Sequence, residues 1–408
     1  FKDVLKEINL FYCRGAWDEE KMKFMDRTLC KMLQKAVAKQ NPENYEPWQQ
    51  ALMCSVGQKC DWTDKKYLEN SREAVSASGL KMRVRKLSAG KLRRYTNYGF
   101  LDYLQHFGDL LRNFSDMFKV FAGIWQSFWR FVFSRPNVVF LKGGYVCLPV
   151  GIAARMLKIP YVIHDSDAAP GLTNRVLAGH AAKIATGMPL EFYKYPKGKA
   201  VWTGIPISSD FVAVDAGGQK AAKIGLGFDG KRPLVLVTGG SLGASHINDA
   251  ILAIYDELVK VADVVLISGK ANFEELRERA PKDREHFRLL DFTNELAKYC
   301  AAADVVVSRA GASTLAELAS MEKAVVLVPN HKLPGFHQVK NADSYKEAGA
   351  ALVVYDSEEG VDGEKLREAI FELLDDSALR AKLAKNLAKT AKADAAAELA
   401  KIVLSVAK

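Results

Sequence analysis

The sequence predicts an α/β fold in which two domains each contain a parallel sheet covered by helices. Short apolar runs recur along the chain, each followed by a helical pattern, at residues 138–141, 161–163, 234–237, 264–267, 305–307 and 325–328. Runs that are apolar on both faces are typical of parallel strands with helices on both sides of the sheet. A chain of 408 residues is also too long for one ordinary core.

The turn-rich stretch at residues 204–230 separates two groups of these strand–helix units and predicts a domain boundary. Residues 1–59 are expected to form a mainly helical segment without a strand, because they contain few β-branched runs and only two glycines. Residues 60–205 are then the first α/β domain and residues 206–380 the second. Residues 381–408, rich in Ala, Lys, Leu and Glu, are expected to be a C-terminal helix.

Composition limits the class of protein. Hydrophobic residues make up 49% and charged residues 26%, the balance of a globular protein, and no run reaches the roughly 20 apolar residues of a spanning helix. Without a signal-peptide pattern we expect a cytoplasmic chain.

The six cysteines form no CxxC pair, which argues against a disulfide framework or a zinc site. The net charge of +10 suits phosphorylated substrates or an anionic membrane, and no nucleic-acid motif is present.

One glycine-rich turn follows the run at 234–237. Its centre, Gly240-Ser241-Leu242-Gly243, opens a helix, where free N–H groups and a positive dipole end can hold a pyrophosphate. A tight turn without a ligand remains the alternative. The spacing is not GxGxxG, which makes a nicotinamide dehydrogenase a poor fit.

A second turn, SRAGASTLAE, follows the run at 305–307. Glu317 on the helix that it opens could accept two hydrogen bonds from a ribose diol. The alternative is a simple helix cap, with Ser313 as the N-cap and Glu317 in the first turn.

Polar residues also follow the strand predicted at 161–163, as HDSD at residues 164–167. Ligands of open parallel sheets bind beyond the carboxyl ends of strands, where His164 and the two carboxylates could bind hydroxyls or transfer protons. An exposed polar loop is the alternative. A third strand–glycine–helix turn, Lys142-Gly143-Gly144, lies in the same half of the chain.

Together these motifs resemble one family. The segments KGGYVCLPVGIAARMLKIPYVIHDSDAAPGLTNRVLA, VTGGSLGAS, VVSRAGASTLAELA, HQVKNADSYKEAGAAL and SAGKLRRY are similar, in order and spacing, to those of the peptidoglycan N-acetylglucosaminyltransferases of glycosyltransferase family 28. The resemblance implies a GT-B fold with two Rossmann-like domains and an inverting reaction without a metal or other cofactor. The donor would be UDP-N-acetylglucosamine and the acceptor lipid I, undecaprenyl-pyrophosphoryl-N-acetylmuramoyl-pentapeptide, giving lipid II.

The resemblance also assigns roles to residues. The turn around Ser241 would hold the pyrophosphate, Glu317 the ribose, and the segment 292–296 with Thr293 the uracil. Gln338, beside His337, would contact the sugar hydroxyls, and His164 and Asp165 would be catalytic. The remaining implied substrate-binding residues are Asp167, Asn174, Arg309, Ala312, Ser313, Thr314 and Leu315.

The chain departs from the family pattern in three places. Asp167 stands where the family usually has an Asn that contacts the donor sugar, and Ile207-Ser208-Ser209 replaces an Arg after Gly204-Ile205-Pro206. Residues 1–58 lack the GGxGGH loop, whose His is proposed to act in catalysis. A catalytically silent UDP-sugar-binding or scaffold protein therefore stays an alternative to the transferase, and so does a glycolipid synthase with a diacylglycerol acceptor. The general base stays open between His164, Asp165 and a residue of the N-terminal segment.

Aromatic residues recur at helical spacing at Phe114, Phe118, Phe121 and Trp125, downstream of Lys91, Arg93 and Arg94. Aromatic side chains with basic neighbours are typical of an interfacial helix at an anionic surface. A buried core face is the alternative. Because the family's acceptor is embedded in the inner leaflet, we expect peripheral attachment at the cytoplasmic face of the plasma membrane, with other cell-wall synthesis proteins as candidate partners.

Overall fold

The computed structural model describes residues 7–12, 16–17, 60–61, 81–90 and 107–407, except residues 197, 240–243, 281–284, 332, 334 and 335. Two compact units are present. The first contains residues 1–92 and 106–127, and the second contains residues 93–105 and 128–408. The basic cluster Lys91, Arg93 and Arg94 lies outside the described residues.

In the first unit, strand β1 (Glu7–Tyr12) pairs in parallel with β4 (Lys81–Lys86), and β2 (Ala16–Trp17) pairs antiparallel with β3 (Cys60–Asp61). The prediction that residues 1–59 contain no strand is therefore wrong. The segment EINLFY alternates only in part, and its partner lies more than seventy residues further along the chain, so local pattern could not reveal the pairing. No GGxGGH sequence follows β1, since Cys13-Arg14-Gly15 comes next.

Helix α1 (Phe107–Phe133) begins in the first unit. Gln126 exchanges hydrogen bonds with the backbone N and Oγ of Ser88, at 3.0 and 3.1 Å. Gly90 lies so close to the helix that an added Cβ would meet the carbonyl oxygen of Asp116 at 2.0 Å, so only glycine fits.

The predicted aromatic face of α1 lies at the surface, and the alternative of a buried core face is wrong for it. The four side chains concerned are 57–65% exposed: Phe114, Phe118, Phe121 and Trp125. Within the part of the chain that the structure describes, no helix combines the length and apolarity needed to cross a membrane.

The second unit contains two parallel sheets. The first has the order β5 (Val139–Leu141), β6 (Tyr161–Asp165), β7 (Lys183–Thr186), β8 (Ala200–Trp202). Helix α2 (Cys147–Met156) follows β5, and α3 (Leu172–Ala178) follows β6. A 3-10 turn, Leu190–Phe192, follows β7.

The second sheet has six parallel strands in the order β11-β10-β9-β12-β13-β14. They are β9 (Leu234–Thr238), β10 (Asp263–Ile267), β11 (Phe287–Leu290), β12 (Val305–Ser308), β13 (Ala324–Leu327) and β14 (Leu352–Val353), and a hairpin of β15 (Asp356–Ser357) and β16 (Gly360–Val361) follows them. The helices are α4 (Ala216–Gly225), α5 (Ser245–Ala253), α6 (Tyr255–Val261), α7 (Phe273–Arg279), α8 (Leu296–Ala302), α9 (Ala312–Ser320), α10 (His337–Glu347), α11 (Gly363–Asp375), α12 (Ser377–Ala388) and α13 (Ala395–Val406).

All six strands predicted from apolar runs are present. Their central residues are fully buried, as a sheet covered on both faces requires, except in β5, where Phe140 is 40% exposed. The less apolar strands β7, β8 and β11 were not predicted. The last helix returns to the first sheet: Leu399 of α13 packs with Val162 of β6 and Ala185 of β7. Helix α13, at the end of the chain, therefore covers the four-stranded sheet formed by β5 to β8.

Candidate active site

The carboxyl end of β6 carries a buried His–Asp pair. His164 is fully buried, its Nε2 lies 3.0 Å from the carbonyl oxygen of Gly204, and its Nδ1 lies 3.4 Å from Ser166 Oγ. Since a carbonyl can only accept, Nε2 donates to Gly204. Burial lowers the pKa of His164 despite that hydrogen bond, so the ring is neutral at pH 7.

Asp165, the next residue, is almost completely buried and is met by two tyrosines. Tyr195 donates to Asp165 Oδ2 at 2.6 Å, and Tyr193 donates to the Asp165 carbonyl at 3.3 Å. Burial raises the pKa of Asp165 to about 6, although the Tyr195 hydrogen bond lowers it. A carboxylate that titrates near neutrality suits a general base.

The tyrosines were missed by sequence reasoning. Their rings stack with centroids 5.7 Å apart, directly after the 3-10 turn that follows β7. Burial and the nearby Asp165 raise the pKa of Tyr195, which therefore stays a hydrogen-bond donor. Their spacing of two residues, YKY, is the sequence feature that could have indicated them, because alternate residues of an extended segment point to the same side.

Asn174, on α3, joins this edge to the glycine turn after β5. Its Nδ2 donates to the His164 carbonyl at 3.1 Å, and it is buried. Gly143 has a φ of +91°, and a Cβ there would lie 3.2 Å from Asn174 Nδ2. The glycine thus permits both the left-handed backbone and the close approach of the amide.

Asn341, on α10, connects the first half of the unit to the second. Its Oδ1 accepts from Ala168 N at 2.9 Å, and its Nδ2 donates to Asp167 Oδ1 at 3.1 Å and to the Ala310 carbonyl at 3.0 Å. The side chain is fully buried, so all three bonds are shielded from water. Asn341 was not among the predicted site residues, because nothing local distinguishes it within the HQVKNA tract.

The two turns that the resemblance assigns to the donor, called the donor-side turns below, follow the neighbouring strands β9 and β12, whose last residues Thr238 and Ser308 are in register. The predicted pyrophosphate residues Gly240, Ser241, Leu242 and Gly243 lie outside the described residues. Helix α9 is N-capped by Gly311. Ser313 is therefore inside the helix rather than its N-cap, and Glu317 lies beyond the first turn, which corrects the helix-cap interpretation.

Glu317 is half-buried, and no hydrogen-bond donor among the described residues reaches its carboxylate. Burial raises the pKa of Glu317 to about 7. A half-buried carboxylate in this state can accept hydrogen bonds from a diol of a bound ligand. Those hydrogen bonds would also stabilise the charged form of the carboxylate.

The other predicted residues are distributed around these turns. Gln338 Oε1 accepts from Asn330 N at 2.9 Å, and its neighbour His337 begins α10. Thr293 Oγ1 accepts from Glu295 N at 3.0 Å in the loop before α8. In the first turn of α9, Ala312 is buried, whereas Ser313 is exposed and Thr314 half-buried. Leu315 is fully buried in the core beneath them.

Arg309 is buried, and its guanidinium pairs with Asp356 at 2.7 Å rather than pointing into open space. Among the described residues, then, the structure brings His164, Asp165, Asp167 and Asn174 to one sheet edge. Asn341 connects that edge to the turn that precedes Glu317.

Comparison with known proteins identifies the family. The model of the glycosyltransferase family 28 N-terminal domain matches residues 78–186, and that of the C-terminal domain matches residues 234–399. The UDP-N-acetylglucosamine–N-acetylmuramyl-(pentapeptide) pyrophosphoryl-undecaprenol N-acetylglucosamine transferase of Geobacillus kaustophilus is 34% identical over 79% of this chain and 84% of its own. The chain belongs to glycosyltransferase family 28.

A protein with the same transferase name from Lachnospira eligens is 34% identical over 71% of this chain and 76% of its own. The crystal structure of Acinetobacter baumannii MurG matches with a TM-score of 0.64 at 19% identity, over 98% of this chain and 99% of that one. A Staphylococcus aureus MnaA–UDP structure matches with a TM-score of 0.52 at 13% identity, over 98% of this chain and 97% of that one. The predicted GT-B class, with two parallel-sheet α/β domains, is confirmed.

Replacing Tyr195 with Phe should raise the pKa of Asp165 further above about 6, because the hydrogen bond that stabilises the carboxylate is lost. A charged hydrogen bond of this kind corresponds to roughly one pKa unit. Carboxyl-carbon NMR of Asp-labelled protein, with Asp165→Asn to assign the signal, measures the shift. An unchanged titration in Tyr195→Phe would show that the bond does not tune Asp165.

Replacing Asn341 with Ala should reduce the free energy of unfolding by about 2–4 kcal/mol, because several buried groups lose their partner. Chemical denaturation followed by intrinsic fluorescence measures this. Asp167→Asn is the matched control: its side-chain carbonyl can still accept from Asn341, so its loss should be below about 1 kcal/mol. Equal losses in both variants would contradict the three-bond assignment.

Proposed function

We propose that this chain transfers N-acetylglucosamine from UDP-N-acetylglucosamine to N-acetylmuramyl-(pentapeptide) pyrophosphoryl-undecaprenol, with inversion at the anomeric carbon. The named activity of relatives that share a third of their residues over most of the chain supports it. The observation that carries the proposal is Asp165, a buried carboxylate with a pKa of about 6 that lies next to the loop bound by Asn341.

In this proposal Asp165 is the general base. Its carboxylate takes the proton from an acceptor hydroxyl while that oxygen attacks the anomeric carbon of the sugar. The bond from that carbon to the diphosphate breaks, and UDP leaves with the electron pair. Burial makes Asp165 more basic than an exposed aspartate, which supports this assignment over a surface carboxylate.

His164 acts as a positioning residue in this mechanism. Its Nε2 is occupied by Gly204, its Nδ1 faces Ser166, and the ring is fully buried and neutral. Both ring nitrogens thus already have protein partners. The ring fixes the end of β6 against the turn at Gly204 and thereby the direction of Asp165.

Donor binding is assigned to the turns after β9 and β12. The N–H groups of residues 240–243 and the start of α5 would stabilise the charge of the departing diphosphate. Glu317 would accept from the ribose diol, Gln338 would contact the sugar, and Phe292, which is 47% exposed, would lie against the uracil. The assignment needs no metal ion.

Release of UDP from UDP-N-acetylglucosamine in the presence of a soluble analogue of the lipid acceptor tests the proposal. Asp165→Asn should lower kcat by about 100-fold or more, because the base is lost. Glu317→Gln should mainly raise KM for the donor, while Glu322→Gln, an exposed glutamate just past the same helix, should not. Activity of the native chain should fall as the pH drops below about 6, because Asp165 is then protonated.

The outcomes separate the competing hypotheses. UDP binding that depends on Glu317, without acceptor-dependent turnover, would favour the catalytically silent UDP-sugar-binding protein. Turnover with diacylglycerol instead of the lipid-linked muramyl acceptor would favour the glycolipid synthase. Full turnover by Asp165→Asn would remove Asp165 as the base.

We also propose peripheral attachment to the cytoplasmic face of the membrane through α1. The exposed aromatic side chains on its surface support this, because such residues insert at the headgroup level. The polyprenyl tail of the proposed acceptor would lie in the same membrane. The net charge of +10 favours anionic lipids.

Vesicles of phosphatidylglycerol test the attachment by co-sedimentation. The double variant Phe118→Ser, Phe121→Ser should bind about tenfold less, because two interfacial aromatic side chains are removed. Ile224→Ser, which removes an equally exposed apolar side chain on α4, is the control and should bind like the native chain. Unchanged binding by the double variant would exclude α1 as the contact.

A further inference from the structure

Asp356, on the short strand β15, is a buried carboxylate with a basic partner on each oxygen. His246 Nδ1 donates to Oδ1 at 2.7 Å, and Arg309 Nη1 donates to Oδ2 at 2.7 Å. The Asp356 side chain is only 3% exposed. Burial alone would raise the pKa of Asp356, but the hydrogen bonds from His246 and Arg309 outweigh it and hold the pKa below its usual value.

One partner lies at the start of the helix after β9, and the other lies in the turn after β12. His246 is the second residue of α5, the helix that follows the glycine turn at 239–243. Arg309 follows the last residue of β12 and precedes Gly311, the N-cap of α9, which carries Glu317. One carboxylate therefore connects the helix start after β9 with the turn after β12.

Arg309 has a second partner besides Asp356. Its Nη1 donates to the carbonyl of Val328 at 3.1 Å, just past the end of β13. The guanidinium is 10% exposed. It therefore has little freedom to reach a ligand, and its ionic partner is Asp356. The Arg309 side chain therefore stabilises the turn after β12 rather than reaching toward a ligand.

We propose that Asp356 is a positioning residue for nucleoside diphosphate binding, which holds His246 and Arg309 so that the start of α5 and the turn after β12 keep the arrangement that the ligand requires. The proposal rests on the proposed function, in which UDP binds beside these two elements. Phosphate binding at a helix start depends on the direction of backbone N–H groups, and small displacements of binding groups are costly. Asp356 belongs to neither α5 nor the turn after β12, yet it bonds to a residue of each.

The chain contains a matched control for this arrangement. Asp263 is also buried and has a histidine and an arginine as partners, both at Oδ1: His286 Nδ1 lies at 2.8 Å, and Arg232 Nε lies at 3.7 Å, an ion-pair contact without a hydrogen bond. It is the first residue of β10, at the amino end of the sheet, opposite the donor-side turns. A purely structural role would make Asp356 and Asp263 behave alike.

Titration calorimetry with UDP on the full chain, alongside thermal unfolding, tests the proposal with Asp356→Asn and Asp263→Asn. Both variants should unfold at lower temperature, since each breaks a buried ion pair. Only Asp356→Asn should weaken UDP binding, by about tenfold or more, because the start of α5 and the turn after β12 lose their common support. In turnover it should raise KM for the donor with kcat changed less than about threefold.

A second pair of variants keeps the test decisive if Asp356→Asn does not fold. His246→Ala should weaken UDP binding, and His246→Asn, whose amide can donate from nearly the same place as Nδ1, should restore most of it. UDP binding within about twofold of the native chain in Asp356→Asn or His246→Ala, or an equal loss in Asp263→Asn, would overturn the proposal. Failure of the native chain to bind UDP would instead remove the proposed function, on which this inference depends.

Discussion

The candidate site depends on three hydrogen bonds made by the side-chain amide of Asn341. It is fully buried and bonds to the loop after β6 through Asp167 and Ala168, and to the loop after β12 through Ala310. An amide can do this because it offers an acceptor and two donors on one planar group. The loops after β6 and β12, which are proposed to lie beside the acceptor and the donor, are thus hydrogen-bonded to the same buried side chain.

Three carboxylates in the same unit show how burial and hydrogen-bond donors compete. Burial raises the pKa of Glu317 to about 7, where no donor among the described residues opposes it. For Asp165 the neutral donors Tyr195, Asn174 and the Gly171 backbone limit the rise to about 6. For Asp356 two basic partners outweigh burial and lower the pKa. The kind of donor that each fold position supplies, rather than burial alone, therefore separates the carboxylates suited to proton transfer or ligand binding from the one suited to support.

Much of the architecture could be predicted from local pattern. Runs such as 234–237 and 305–307 are short, β-branched and apolar on both faces, which predicted buried parallel strands. The glycines and small residues after them predicted turns before helices. His164 and Asp165 were predicted at a strand end, and they lie there. Strand β7 escaped prediction because only its two central residues are apolar, and β11 because Arg288 interrupts its apolar pattern. Strand β1 escaped it because its partner is remote in sequence.

The sequence by itself determined the fold class, the two strand-end turns of the donor side and the His–Asp pair, because these are properties of short consecutive segments. Only the tertiary structure decided which side chains meet. Tyr195 reaches Asp165 from thirty residues away, and Asp356 reaches Arg309 and His246 across 47 and 110 residues. It also decided that Ser313 is not a cap and that the last helix covers the first sheet. Such contacts depend on how whole elements pack, which no local spacing of residues records.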